Sequence, residues 1–159
     1  MIRFTSVLHE GEPGEPTLTI PLDHEHRRRS RLRLMLSGGT DVGITLPRGR
    51  VLKDGDRLRS EDGQLVARVR ADSENLSVAS TGDVHLLARA AYHLGNRHVP
   101  LQVEPDCLLY PHDHVLDGLC RELGLVVRAE RRPFEPELGG YAGGHGDSHG
   151  DGHGHNHEH

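Results

Sequence analysis

The polar and apolar positions of this chain change period about halfway along it. Arg31-Leu32-Arg33-Leu34-Met35-Leu36 alternates, so Leu32, Leu34 and Leu36 share one face of a strand. Ile44-Thr45-Leu46 reads as a short strand ended by Pro47-Arg48-Gly49. Asp54-Gly55 and Asp62-Gly63 are turn dipeptides, and the second separates residues 56–60 from 64–69 as in a hairpin. Short strands with turns at this spacing predict an all-β N-terminal domain over residues 1–74, a small sandwich or barrel-like unit.

Beyond residue 74 a helical period appears. Residues 75–80 read as a strand, and Ser80 or Thr81 then offers an N-cap with Asp83 in the first turn. Val84, Leu87, Ala88, Ala91 and Leu94 follow at helical spacing, and Gly95 is suited to the position after the helix. Residues 98–104 and 107–110 are strand candidates separated by Pro105-Asp106. Val115, Leu116, Leu119, Cys120 and Leu123 form one side of a second helix that Gly124 stops, and residues 125–129 read as a last strand. The order β-α-β-β-α-β predicts a ferredoxin-like domain over residues 75–138, and hence an α+β chain. Residues 139–159 contain Gly, His and Asp in place of a core-forming pattern and are expected to be a disordered His-rich tail.

Composition narrows the function classes. Hydrophobic residues make up 34% of the chain and aromatics 3%, with no Trp, so the cores are small and aliphatic and oligomerisation is an expected source of stability. Of 24 acidic residues five lie beyond Arg132, and none of the 19 basic ones do. The remainder is formally neutral, which argues against nucleic acid as a partner. The single basic run, Arg27-Arg28-Arg29-Ser30-Arg31-Leu32-Arg33, is read as the solvated face of a strand, with an acidic protein partner as the next reading. Cys107 and Cys120 form no CxxC pair and are expected to be free thiols. Residues 1–19 contain no apolar run and no segment is long enough to span a bilayer, so a cytoplasmic protein with no membrane partner is expected. HExxH, GxSxG and Walker A patterns are absent, and the chain is not read as an enzyme.

The chemistry lies in the histidines. His145, His149, His153, His155, His157 and His159 fall within the last fifteen residues, spaced by Gly, Asp, Ser and Asn. An uninterrupted run would suggest a tag; this spacing suggests a flexible collector of metal ions. Four more histidines cluster upstream: His93 and His98 at the end of the first helix, and His112 and His114 at the start of the second. Residues two apart diverge on a helix, so His112 and His114 can share an ion only if the helix begins at Asp113 or later. Neutral imidazole suits nickel, zinc and copper alike. A lone surface histidine is a weak site, but in a two-fold homodimer it meets its own copy.

Tyr92-His93-Leu94-Gly95-Asn96-Arg97-His98, then His112-Asp113-His114-Val115-Leu116, then Pro133-Phe134-Glu135-Pro136-Glu137 and a His-rich C-terminus resemble the UreE family of urease accessory proteins. Leu46-Pro47-Arg48-Gly49 followed by Leu52-Lys53-Asp54-Gly55-Asp56 is similar to the N-terminal part of that family. The resemblance spans nearly the whole chain. It implies an N-terminal domain that contacts partner proteins and a ferredoxin-like domain that dimerises. It also implies Ni2+ held between subunits by His98, with His93, His112 and His114 as auxiliary ligands. The implied function is nickel delivery to apo-urease, in company with the urease accessory GTPase. Zn2+ and Cu2+ are expected to bind such ligands in vitro. The alternative is passive storage of nickel or zinc through the tail.

Overall fold

The computed structural model describes residues 1–139. Apart from Gly139, the predicted tail, with its six histidines, lies outside the described residues. The N-terminal half forms one mixed sheet from β1 (Ile2–Val7), β2 (Leu18–Leu22), β3 (Arg31–Met35), β4 (Asp41–Thr45), β5 (Arg57–Ser60) and β6 (Val66–Ala71), in the order β2-β6-β5-β1-β4-β3. The alternating Leu32 and Leu34 of β3 pack on a core of Phe4, Ile20, Leu22, Val42, Ile44, Leu58 and Val69. The Asp62-Gly63 hairpin joins β5 and β6 in antiparallel register, as expected. β1 pairs in parallel with β4, and β2 with β6, which no local hairpin signal could announce. Ile2-Arg3-Phe4-Thr5 of β1 and Leu18-Thr19-Ile20-Pro21-Leu22 of β2 do alternate, so the strands were open to reading and only their pairing was not. In place of two packed sheets or a closed barrel, the described residues form a single sheet whose outermost strands are β2 and β3.

One departure from an all-β N-terminal unit decides how the two halves meet. A single helical turn, α1 (His24–Arg27), follows β2 and is capped by Asp23, whose carboxylate accepts from His26 N. It places Arg27 inward. Arg27, expected within a solvated basic run, is only 2% exposed. Its guanidinium donates to the carbonyl of Phe134 and lies 3.4 Å from Glu135 Oε1, while Arg28 and Arg29 face solvent. Phe134 is fully buried, and the His24 ring meets its edge with centroids 5.5 Å apart. Glu135 also accepts from Asp54 N at 2.8 Å, and His24 N donates to Glu74 at 2.9 Å. The two halves are thus joined by charge-assisted hydrogen bonds around one aromatic ring.

The second sheet is built from β7 (Ser73–Ser80), β8 (Gln102–Val103), β9 (Cys107–Pro111) and β10 (Val126–Pro133), all antiparallel, in the order β10-β7-β9-β8. With α2 (Val84–Gly95) and α3 (His114–Leu123) this is the expected ferredoxin-like arrangement. The helices cover one sheet face through Leu87, Ala90, Leu94, Leu116 and Cys120 against Leu108 and Tyr110. Leu76, Val78, Cys107 and Leu109 point to the other face, where Phe134 closes over them. Both cysteines are buried free thiols; burial, reinforced by Glu104, pushes Cys107 up to about 11.

Three element ends differ from expectation. The N-cap of α2 is Asp83, which accepts from His85 N and Leu86 N; Ser80 is held in β7 opposite Cys107 and Val126 and cannot cap. β8 is two residues long rather than seven, because His98 turns the chain and Pro100 lacks a donor. β10 runs through the charged segment to Pro133, since β7 pairs with all of it.

The junction has a pH signature. Burial, aided by Arg27 and Arg28, holds the His24 imidazole below its ordinary pKa, and burial raises the Glu74 carboxyl. His24 therefore binds its proton more weakly folded than unfolded. Its contribution is complete above the unfolded value, about 6.5, and is lost as pH falls below it. Glu74 acts oppositely: its folded form holds the proton more tightly, an advantage lost as pH rises through the folded pKa. On acidification from about pH 7.5 to about pH 5.5, the metal-free wild type is expected to lose more Tm than His24→Gln. Calorimetric scans at both pH values check this, and equal losses would contradict it.

Candidate metal centre

α2 ends in a tightening turn: Arg97 N donates to Leu94 O at 3.1 Å and His98 N to Gly95 O at 3.0 Å. The left-handed residue that closes this end is not Gly95, which stays helical, but His98, with φ of 56°. It is the only described non-glycine residue with positive φ. Histidine tolerates this region better than most residues, but the conformation still costs on the order of 1 kcal/mol. Strain of this kind is characteristic of functional positions. His98→Gly is therefore expected to be about 1 kcal/mol more stable than His98→Ala in denaturant unfolding. Equal midpoints would show that the turn relaxes without the imidazole.

The turn places His98, exposed, on the wall of a cleft of about 640 Å3 between the two halves. His24, Arg28, Gly49 and Val51 line it from the N-terminal half, and Pro136 to Gly139 line it from the segment that leads to the tail. The root of the His-rich segment thus lies at the same cleft as His98.

The other candidates are placed separately. His93, in the last turn of α2, lies with its ring against Tyr92, centroids 5.5 Å apart. His114 opens α3 and is exposed. Asp113 is the N-cap of α3, accepting from Val115 N and Leu116 N, so the backbone condition for His112 and His114 to face one ion is met. His112 Nδ1, however, is already engaged, 3.0 Å from Ser77 Oγ and 3.6 Å from Asp117 Oδ2. Among the described residues of one chain, no three His, Cys, Asp or Glu side chains are gathered into a metal-holding group. His93, His98, His112 and His114 do not form one site within a single copy.

Sequence reasoning missed His24, Ser77 and Asp117. Asp117 reads in the sequence as a first-turn acid that suits the helix dipole, yet it is buried and accepts from Tyr110 Oη at 2.9 Å. Its position one helical turn beyond His114 was the available signal.

A β-rich unit joined to a ferredoxin-like unit, with an exposed His98 on the wall of the cleft between them, defines a two-domain protein with no closed metal site among the described residues of one chain. The comparisons are specific. Residues 4–71 match the family model described as the UreE urease accessory protein N-terminal domain, and residues 74–159 match that of its C-terminal domain. The urease accessory protein UreE of Pseudomonas putida is 54% identical over 123 residues, covering 77% of this chain and 74% of that protein. UreE of Vibrio parahaemolyticus is 50% identical over 146 residues, covering 89% and 91%. UreE of Citrobacter koseri is 51% identical over 142 residues, covering 89% and 92%. The chain belongs to the UreE family. That family is named for an accessory protein of urease, not for the catalyst itself. No described helix is long and apolar enough to cross a membrane.

Proposed function

We propose that this protein is a homodimeric, cytoplasmic nickel metallochaperone that delivers Ni2+ to apo-urease during assembly of its metallocentre. Nickel is its cargo. The observation that carries this reading is the shared cleft: an exposed, conformationally strained His98 on one wall, and Gly139, the root of the His-rich tail, on another. Tail histidines 145, 149, 153, 155, 157 and 159 would gather ions and raise their effective concentration at His98.

A second copy supplies what one chain lacks. Val84, Ala88 and Tyr92 recur every fourth residue along α2, and Val84 and Tyr92 are 76% and 66% exposed. This stripe leads to His98 and suits an isologous contact, in which His98 would meet its counterpart. Two imidazoles leave coordination positions open for tail histidines and for His93, His112 or His114, and an open site can release its ion. The ligand set does not by itself choose nickel, because Cu2+ binds nitrogen ligands more strongly. Choice of metal then rests with supply and with the receiving partners, the accessory GTPase and apo-urease.

Urease activation in cells supplied with limiting nickel tests the reading. His98→Ala is expected to lower activation even with the tail intact, whereas deleting residues 140–159 is expected to lower it partially. Full activation with His98→Ala but none without the tail would favour passive storage.

A further inference from the structure

His112 is only half exposed, and what holds its inner side is unusual for a surface histidine. Its backbone N–H donates to Asn75 O at 3.1 Å, fixing the residue beside β7. Ser77 Oγ, from β7, lies 3.0 Å from Nδ1, and Asp117 Oδ2, from α3, lies 3.6 Å from the same nitrogen. Both groups are buried, Ser77 completely and Asp117 to 5% exposure. Asp117 is itself fixed, because its Oδ1 accepts from the hydroxyl of Tyr110, a fully buried residue of β9. Two secondary-structure elements, β7 and α3, therefore converge on one nitrogen of the ring, and a third, β9, fixes the carboxylate behind it.

The chemistry of that arrangement selects a tautomer. A carboxylate only accepts hydrogen bonds and repels a lone pair turned towards it. The Ser77 hydroxyl can donate or accept, so it is the carboxylate beside Nδ1 that makes the neutral ring with its hydrogen on Nδ1 the favoured one. The lone pair then lies on Nε2, at the solvent side. Metal-ligating histidines are typically fixed in this way, with a carboxylate, backbone carbonyl or water behind the ring setting tautomer and orientation and raising basicity. A histidine serving only to satisfy a buried network would not need its free nitrogen turned outward.

We propose that Asp117 and Ser77 are positioning residues that preset His112 as a metal-accepting imidazole, Nδ1–H inward and Nε2 outward. This rests on the nickel-carrier reading above. It makes His112 the prepared auxiliary position, ahead of His93 and His114, which have no such support among the described residues. Asp117 acts through His112 and does not itself touch the ion.

The test is ring-nitrogen NMR on the full-length, metal-free, 15N-labelled protein near pH 8, with His112 assigned by His112→Gln and His98 by His98→Gln. The expected result is a protonated Nδ1 and an unprotonated Nε2 for His112 in the wild type. Asp117→Asn keeps an oxygen for the Tyr110 hydroxyl but removes the carboxylate, and is expected to move His112 towards the Nε2–H form. Ser77→Ala should shift it in the same direction, less far. Substoichiometric Ni2+ is expected to broaden the ring signals of His98 and His112 in the wild type. In Asp117→Asn only the His112 effect should fade, with a roughly ten- to hundredfold loss in its nickel affinity. A wild-type His112 carrying its hydrogen on Nε2 would overturn the proposal whether or not any variant folds. An unchanged tautomer in folded Asp117→Asn would do the same. Failure of nickel to broaden His98 would instead overturn the carrier reading itself.

Discussion

Replacing His98 with alanine is expected to remove the tight nickel site of the described core and to leave the weaker tail sites unaffected. No described cluster of three ligands exists within one chain, so a tight site needs copies to combine, and His98 is the imidazole placed at the end of the exposed α2 stripe. Removing it from a symmetric pair deletes two ligands at once. The expected loss in affinity at that site is at least about a hundredfold, or roughly 2.7 kcal/mol. Because imidazole must be neutral to bind, the wild-type affinity should also fall on acidification. Isothermal titration with Ni2+ separates the strong phase from tail binding. A strong phase that survives in His98→Ala would assign the site elsewhere.

Phe134→Ala is expected to produce the largest loss of stability. Phe134 is fully buried against Leu76, Val78, Cys107 and Leu109, on the sheet face that the helices leave open. Truncating a buried Phe costs about 3–5 kcal/mol in lost burial and residual cavity. Here the loss reaches further. The His24 ring rests on the Phe134 edge, the Arg27 guanidinium is held by the Phe134 carbonyl, and Glu135 accepts from Asp54. A shift of this segment moves Pro136 to Gly139, which line the cleft beside His98. Urea unfolding followed by circular dichroism should show the change. A cost below about 1 kcal/mol would mean that the junction does not depend on the ring.

What could be read from the chain follows the range of the forces involved. α3 was legible because its apolar face, its N-terminal polar residues and Gly124 are local signals, and Gly124 does take the left-handed conformation. The alternation of β3 was legible for the same reason. β1 and β2 alternate in the sequence but were passed over, and their pairing was hidden because their partners β4 and β6 lie far along the chain and pair in parallel. Arg27 was obscured by its neighbours: within a run of arginines nothing local marks the one that α1 turns inward towards Phe134. At the site, the histidines themselves were visible by type and spacing, and α3 begins at His114, after the capping Asp113, which is the start that a shared ion for His112 and His114 requires. The left-handed turn at His98 was not visible, because Gly95 three residues earlier offers the cheaper conformer and the chain does not use it there. Ser77 and Asp117 support His112 from another strand and from within the helix, a relation only the tertiary fold creates.

The most direct test of the carrier reading is calorimetric titration of Ni2+ into the protein ended after Leu138, with the oligomeric state followed by light scattering. All three hydrophobic clusters lie within the residues retained. One tightly bound ion per two chains is the expected result and would place a shared site in the core. Absence of tight binding would confine the metal chemistry to the tail and contradict the account in favour of storage.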